Sequence, residues 1–140
     1  MTSEQAHPLR ITASVLEQIG AHAISCYPEE ACGLLVGTSA TNTVLEFHQC
    51  TNTARSARVY TLDPLRHLRI ERDAEDRGLE VIGVMHSHTH TEAYPSATDV
   101  AQAPDPAWHY MIVTLKRGVP EPRSFQIVNE QVSEEEVVFT

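Results

Sequence analysis

The chain has 140 residues, 41% of them hydrophobic and 21% charged, and its 19 acidic against 10 basic residues give a formal net charge of −9. This length and composition predict a single globular domain over residues 1–140 with a core of ordinary size. The acidic balance argues against nucleic acid or an anionic membrane surface as the main partner. The unusual feature is the set of eight histidines, three of which lie within five residues.

Cysteine usage and hydropathy predict a cytoplasmic protein without a membrane span. Cys26, Cys32 and Cys50 are an odd and sparse set, so a disulfide framework is not expected and a reducing compartment is favoured. The longest apolar run, from Ala31 to Gly37, is far shorter than the roughly 20 residues of a transmembrane helix. The first ten residues contain no apolar stretch of the kind that a signal peptide requires.

The first predicted elements are a short strand and a helix. An apolar segment at Leu9–Ile11 precedes a helix over Ala13–Cys26. Ser14 and Glu17 fit a capping box at the start of this helix, and Pro28 ends it. Apolar residues recur along it at helical spacing, which predicts one buried face.

Two strands and a second helix are predicted to follow. Gly33–Gly37 is expected to be a buried strand and Thr43–Cys50 its antiparallel neighbour. Residues 51–62 are polar and predict a loop of mostly surface side chains, in which a short strand at Tyr60 stays open. The dipeptide Asp63-Pro64 supplies the N-cap and first residue of the second helix, which Gly78 ends.

The rest of the chain predicts further strands around a short helix. Leu79–Met85 is apolar enough to be a central strand, and Ser96 caps the short helix with Asp99 in its first turn. The remaining strands are predicted at Trp108–Leu115, at Arg123–Val128 and, along an edge, at Val132–Phe139. Helices placed between strands predict an α/β or α+β fold with a mixed central β-sheet, whose strand order stays open.

A group of metal-ligating side chains follows the predicted central strand. His86 and His88 are two residues apart and share one face of a strand, while Ser96 and Asp99 are three apart and share one face of a helix. If the intervening loop returns the helix to the end of the strand, two imidazoles and one carboxylate converge. This is the number of protein ligands in a catalytic zinc site, which keeps a fourth position for water.

Hydrolysis at such a site also needs a group that transfers protons and a donor that stabilises an oxyanion. Ser96 is next to the predicted ligands and is the candidate donor, since its hydroxyl is too weak to be a ligand. Glu30 comes just before a buried strand and is the candidate general base. The adjacent Glu29 is expected to point the other way, because side chains alternate along a strand.

The pattern Glu30…His86-x-His88-x7-Ser96-x2-Asp99, with Glu30-Ala-Cys-Gly around the glutamate, resembles the motif of the JAMM (MPN+) metalloproteases. This family includes deubiquitinases and prokaryotic relatives, and the resemblance extends from about residue 11 to residue 128. It implies a JAMM/MPN domain of the cytidine-deaminase-like fold. It also implies a Zn²⁺ cofactor held by His86, His88 and Asp99, with Glu30 as general base and Ser96 stabilising the tetrahedral intermediate.

Other segments are similar to one subgroup of this family. Most members have proline after the second histidine, where this chain has Thr89. The strings HSHTHTEAYPSATDV, PEEACGLLVG and TNTARSARVYTLDP look like an actinobacterial subgroup that acts in cysteine biosynthesis. Such enzymes hydrolyse the amide bond between the C-terminal Gly-Gly of a ubiquitin-like sulfur-carrier protein and a cysteine. The resemblance implies that carrier as the partner, and it leaves the oligomeric state open, a homodimer included.

Simpler interpretations of the same residues stay open. His86 and His88 fit ordinary strand-end histidines, Ser96 fits a helix cap, and Glu30 fits a solvated acid. Asp99 fits a first-turn helix acid, a role expected to compete with metal ligation. We expect the remaining histidine and cysteines of this region not to be ligands; they are His90, Cys26, Cys32 and Cys50.

Two other functions also stay open. One is hydrolysis of an adduct of another ubiquitin-like carrier, and the other is a non-catalytic MPN binding module. The sequence lacks the Pro-Cys-x-x-Cys element of zinc deaminases and the H-E-x-x-H helix of other metalloproteases.

Overall fold

The computed structural model describes residues 7–140. Residues 1–6, which belong to the segment in which no signal peptide is expected, lie outside the described residues. Within residues 7–140, no helix is long and apolar enough to cross a membrane.

One mixed sheet of eight strands organises the described residues, in the order β7-β6-β5-β4-β2-β3-β1-β8. The strands are β1 (Leu9–Ile11), β2 (Cys32–Thr38), β3 (Thr43–Cys50), β4 (Glu80–His88), β5 (His109–Thr114), β6 (Glu121–Val128), β7 (Gln131–Glu135) and β8 (Val137–Phe139). Central β4 runs parallel to β5 and antiparallel to β2. The predicted mixed central sheet flanked by helices is thereby confirmed.

Two long helices cover the two faces of the sheet and a short one follows β4; they are α1 (Ala13–Cys26), α2 (Pro64–Asp76) and α3 (Ala97–Ala101). Helix α1 packs on the face that contains Leu35, and α2 packs on the opposite face, which contains Leu34. Neighbouring residues of β2 therefore belong to different cores, because side chains alternate along a strand. This burial on both faces explains why the central strands have nearly continuous apolar sequences.

The caps of the two long helices were not equally well predicted. Asp63 caps α2 as expected, with its carboxylate accepting from the backbone N–H of Leu65. The capping box expected of Ser14 and Glu17 is wrong. The N-cap of α1 is Thr12, whose hydroxyl oxygen accepts from the backbone N–H of Val15 at 3.1 Å, so Ser14 already lies within the first turn.

Two strands also differ from the sequence prediction. Strand β4 continues to His88, three residues beyond the predicted end at Met85. The predicted edge strand at 132–139 is two strands on opposite edges of the sheet, since β7 pairs with β6 and β8 pairs with β1. Buried polar contacts hold β7 in place, because the Glu135 carboxylate lies 2.6 Å from His109 Nδ1 and accepts from the Ser124 hydroxyl at 2.7 Å.

Candidate metal centre and catalytic site

Three side chains from two elements converge at the C-terminal end of β4. His86 Nε2 and His88 Nε2 are 3.2 Å apart, and Asp99 Oδ2 lies 3.1 Å from the first and 3.2 Å from the second. The two histidines come from β4, and Asp99 comes from α3, which folds back over the end of that strand. All three side chains are at least nine-tenths buried, so their polar atoms have little contact with bulk water.

The size of this triangle fits a small divalent cation. Ligand bonds of about 2.0–2.1 Å in tetrahedral geometry separate neighbouring ligand atoms by about 3.3 Å, close to each side of the triangle. Two imidazole nitrogens and one carboxylate oxygen are a donor set that zinc accepts, and three protein ligands leave one position open. The predicted ligand residues are thus arranged as a metal site requires.

Neighbouring groups orient the two imidazole rings. His88 Nδ1 lies 2.8 Å from the backbone carbonyl of Glu92, which can only accept, so Nδ1 carries a proton and the neutral ring has its lone pair on Nε2, toward the site. The ring of Tyr60 stacks on that of His86, with centroids 4.5 Å apart and planes inclined by 20°. The sequence left Tyr60 open between a short strand and a loop that the family resemblance places along the cleft, and neither interpretation predicted this contact with His86.

Asp99 does two things at once. Its Oδ2 atom accepts a hydrogen bond from the backbone N–H of Ser96 at 2.9 Å and also faces both imidazoles. The Ser96 hydroxyl accepts in return from the Asp99 N–H at 3.0 Å, which completes a capping box. Capping and convergence on the histidines therefore coexist at this carboxylate, and the expected competition between capping and metal ligation stays a prediction.

Charge and burial act in opposite directions on these groups. Burial alone would raise the pKa of Asp99, but hydrogen bonds from His86 and His88 hold that pKa well below its usual range. Burial lowers the pKa of His86. Burial also opposes the charged form of His88, but the hydrogen bonds to Asp99 and to the Glu92 carbonyl outweigh it and raise the pKa.

Glu30 lies beside this cluster. Cys32 of β2 is opposite His86 of β4, and continuing the antiparallel register brings Glu30 next to His88. Its side chain is buried, with the residue only 3% exposed, and its Oε1 atom has no hydrogen-bond partner among residues 7–140. Burial raises the pKa of Glu30 to about 8, partly offset by His88 and reinforced by Asp99. An unpartnered buried carboxylate of raised pKa is suited to proton transfer near neutral pH.

Three polar residues fix the backbone on either side of this carboxylate, and sequence reasoning assigned a role to none of them. The Glu30 N–H donates to the Ser56 carbonyl at 2.8 Å, and the Asn52 side-chain amide donates to the Glu30 carbonyl at 3.0 Å. The next residue, Ala31, donates to the Ser87 hydroxyl at 2.7 Å and accepts from the Ser87 N–H at 3.0 Å. The 51–62 loop therefore connects directly to the position of Glu30.

The sequence indicated only weakly that the side chain of Asn52 would hold the backbone of this loop. Its side chain is buried and contacts five backbone groups: the two amide hydrogens are shared among the carbonyls of Glu30, Ser56 and Val59, and the amide oxygen accepts from the N–H groups of Ala54 and Thr61. Asparagine favours such local backbone bonds in turns, yet a polar loop contains many residues that could make them.

Ser96, Glu30 and His88 line one cleft of about 560 Å³. Ser96 is exposed, and its hydroxyl can still donate because the Asp99 N–H occupies only an acceptor position. His90 also lines the cleft but lies apart from the converging atoms, with its ring nitrogens 2.8 Å from the Thr89 hydroxyl and 3.3 Å from that of Tyr27. The cysteines are free thiols; Cys32 and Cys50 are buried in the core and Cys26 is partly buried at its margin.

The fold and this site define a known class of protein. The family described as prokaryotic homologs of the JAB domain matches residues 12–128, and the chain belongs to this JAB (JAMM) family. It is a hydrolase of the metallopeptidase type.

Individual relatives cover most of the chain. The "CysO-cysteine peptidase" of Mycobacterium tuberculosis (strain ATCC 25618 / H37Rv) is 39% identical over 130 residues, 92% of this chain and 89% of the relative. The "Desampylase" of Haloferax volcanii is 40% identical over 86 residues, 61% of this chain and 62% of its own length. The solution structure of protein DSY2949 from Desulfitobacterium hafniense matches with a TM-score of 0.86 and 34% identity, covering 94% of this chain and 92% of that one.

Proposed function

We propose that this protein is a zinc metallopeptidase that hydrolyses the amide bond between the C-terminal Gly-Gly of a ubiquitin-like sulfur-carrier protein and an attached cysteine, and so releases cysteine. The observation that carries the chemistry is the triangle of His86, His88 and Asp99 atoms beside the buried carboxylate of Glu30. The relative named CysO-cysteine peptidase, which aligns over 92% of the chain, supports the substrate.

His86, His88 and Asp99 would hold the zinc ion in this proposal. Zinc bound there supplies Lewis-acid polarisation of the scissile carbonyl and lowers the pKa of water to about 7. Glu30 takes a proton from the attacking water and gives it to the nitrogen of the leaving cysteine. The Ser96 hydroxyl donates to the oxyanion that forms on the glycine carbonyl, a contribution of roughly 3 kcal/mol for one donor.

The residues of the chain support this division of roles. Glu30 is buried and unpartnered within residues 7–140, so no competing hydrogen bond holds its Oε1 atom away from a proton. Ser96, Glu30 and His88 line the same cleft. The hydrogen bonds of Asn52 and Ser56 hold the Glu30 backbone in place without substrate, which favours preorganisation of the site.

We also propose that residues 1–140 act as one domain in the cytoplasm. A single sheet joining strands from Leu9 to Phe139 supports the first statement. The three free thiols support the second, since a reducing compartment keeps cysteines in this form.

The test is incubation of the zinc-loaded protein with a carrier–cysteine adduct, followed by mass spectrometry. We expect the carrier to lose the mass of one cysteine residue and free cysteine to appear. The alternative is cleavage of a protein conjugate of a ubiquitin-like carrier, which the relative named desampylase favours. An intact cysteine adduct together with cleavage of a lysine-linked carrier conjugate would establish that alternative.

A further inference from the structure

The cleft beside Glu30 contains a cation that the chemistry above does not use. Arg58 lines this cleft together with Glu30, His88 and Ser96. It is exposed, and within residues 7–140 its guanidinium makes no hydrogen bond and no ion pair. An unpaired arginine at the edge of a hydrolytic site is available to bind an anionic part of the substrate.

Other cations near the histidine loop are already neutralised. Arg117 forms an ion pair with Glu92 at 2.7 Å and another with Glu121 at 2.6 Å, and Lys116 lies 3.4 Å from Glu92. Neither of them lines the cleft that contains Glu30. Among residues 7–140, Arg58 is therefore the only lysine or arginine that lines this cleft.

The position of Arg58 relative to Glu30 is fixed through the backbone. The Arg58 N–H donates to the Ser56 hydroxyl at 3.0 Å, and the Ser56 carbonyl accepts from the Glu30 N–H at 2.8 Å. Asn52 donates to the Ser56 and Val59 carbonyls on either side of Arg58. The loop thus connects the cation and the candidate base with few flexible bonds between them.

The chemistry of the leaving group indicates what Arg58 binds. On the proposed function, Glu30 gives its proton to the nitrogen of the released amino acid, so that amino acid lies on the Glu30 side of the scissile bond. An amino acid attached to the end of a carrier has a free α-carboxylate one carbon from this nitrogen. Arginine binds carboxylates through two parallel hydrogen bonds, a geometry that lysine cannot match.

We infer that Arg58 binds the α-carboxylate of the released amino acid and makes the enzyme specific for carriers extended by a single amino acid. This inference rests on the proposed function. A lysine-linked protein conjugate has no carboxylate next to its leaving nitrogen, so it gains nothing from Arg58. Arg58 thereby lets the enzyme discriminate between a carrier with one added amino acid and a carrier conjugated to another protein.

The experiment compares two carrier adducts, one ending in cysteine with a free carboxylate and one ending in cysteinamide. We expect kcat/KM for the acid to exceed that for the amide by roughly 10- to 100-fold, the usual value of a hydrogen-bonded charge pair. Arg58→Gln should remove this preference by lowering kcat/KM for the acid alone. Arg58→Lys should restore part of it, and Arg55→Gln, in the same loop but away from the cleft, should change neither rate.

Equal rates for acid and amide in the unaltered protein, or an equal loss for both in Arg58→Gln, would refute the role of Arg58 while leaving the proposed function intact. Failure of the zinc-loaded protein to cleave either adduct would refute the proposed function, and this inference with it.

Discussion

The carboxylate of Asp99 accepts a hydrogen bond from the backbone N–H of Ser96 at 2.9 Å through the same oxygen that faces the two imidazoles. The Ser96 hydroxyl caps the helix in return. Helix α3 is only five residues long, so its attachment to β4 depends strongly on these few bonds. The cap thereby holds the carboxylate in the position that convergence with His86 and His88 requires.

Because Asp99 both caps α3 and faces the histidines, one substitution should weaken zinc binding without much lowering the thermal stability of the metal-free protein. In Asp99→Asn, the amide oxygen still accepts from the Ser96 N–H, but the negative charge is lost. We expect bound zinc to fall from one equivalent to well below one, while the melting temperature of the metal-free protein changes by only a few degrees. Zinc content after dialysis and thermal unfolding in a chelator measure the two quantities.

The neighbouring exposed Thr98 provides the matched control for that variant. Thr98→Ala should keep full zinc content, because its side chain lies outside the converging atoms. If Asp99→Asn retained one tightly bound equivalent of zinc, the assignment of Asp99 as a ligand would be wrong.

Glu30 is expected to be essential for turnover but not for metal binding. Glu30→Gln preserves the shape of the side chain and removes its ability to accept a proton, so kcat should fall by roughly 10²- to 10⁴-fold with the zinc content unchanged. Glu29→Gln is the control, and its rate should stay within about twofold of the unaltered enzyme. A Glu30→Gln variant with normal turnover would contradict the role of general base.

The pKa of Glu30 predicts a pH effect on the stability of the metal-free protein. Burial raises the pKa from 4.5 to about 8, so the folded state favours the protonated carboxyl. This contribution to stability is fully present below pH 4.5 and is lost as the pH rises through about 8. The melting temperature of Glu30→Gln minus that of the unaltered protein should therefore increase over this range, measured with a chelator present.

Groups that do not interact with Glu30 cancel in that difference, which leaves the Glu30 carboxyl and its coupling to His88 and Asp99. A difference that stays constant between pH 4.5 and 8 would show that folding does not raise the pKa of Glu30.

The loop that contains Asn52 should be as important for stability as part of the core. Asn52→Ala removes the side chain that contacts five backbone groups and leaves buried backbone groups without partners, for an expected loss of about 2–4 kcal/mol in the free energy of unfolding. Urea unfolding measures this loss. The adjacent Thr51 is exposed, and Thr51→Ala should cost less than about 0.5 kcal/mol. Equal effects of the two substitutions would contradict the structural role of Asn52.

Tyr60 is expected to orient the ring of His86 through stacking alone. Tyr60→Phe keeps the ring and should leave zinc affinity unchanged, whereas Tyr60→Ala should weaken it by roughly tenfold, as is typical when a group supporting a ligand is lost. Competition with a fluorescent zinc chelator gives both affinities. An equal loss in the two variants would assign the effect to the phenol hydroxyl instead.

The local elements of this chain were predictable because their signals are local. Apolar periodicity defined α1, and the Asp63-Pro64 dipeptide defined the start of α2, since both depend on contacts within a few residues. The error at the cap of α1 has the same origin. Thr12 and Ser14 are both capping residues, and only the actual helix start at Ala13 distinguishes them.

The sequence alone determined which side chains could form the site. A period of two places His86 and His88 on one face of β4, and a spacing of three places Ser96 and Asp99 on one helical turn. The convergence of these two pairs was a conditional prediction, since it required the 89–95 loop to fold back. That condition depends on contacts between residues distant in sequence, such as the hydrogen bond between the Thr114 hydroxyl and the Thr91 carbonyl.

Only the tertiary structure decided the strand order, the separation of β7 from β8 and the groups that surround Glu30. Cys32 meets His86 across β2 and β4, and Asn52 meets the Glu30 carbonyl, through contacts that join segments 22 or more residues apart. Periodicity gives the face on which a side chain lies, but not the strand that will lie beside it. For that reason the sequence predicted the ligands and the base, and the folded chain supplied the positions of Asn52, Tyr60 and Arg58 around them.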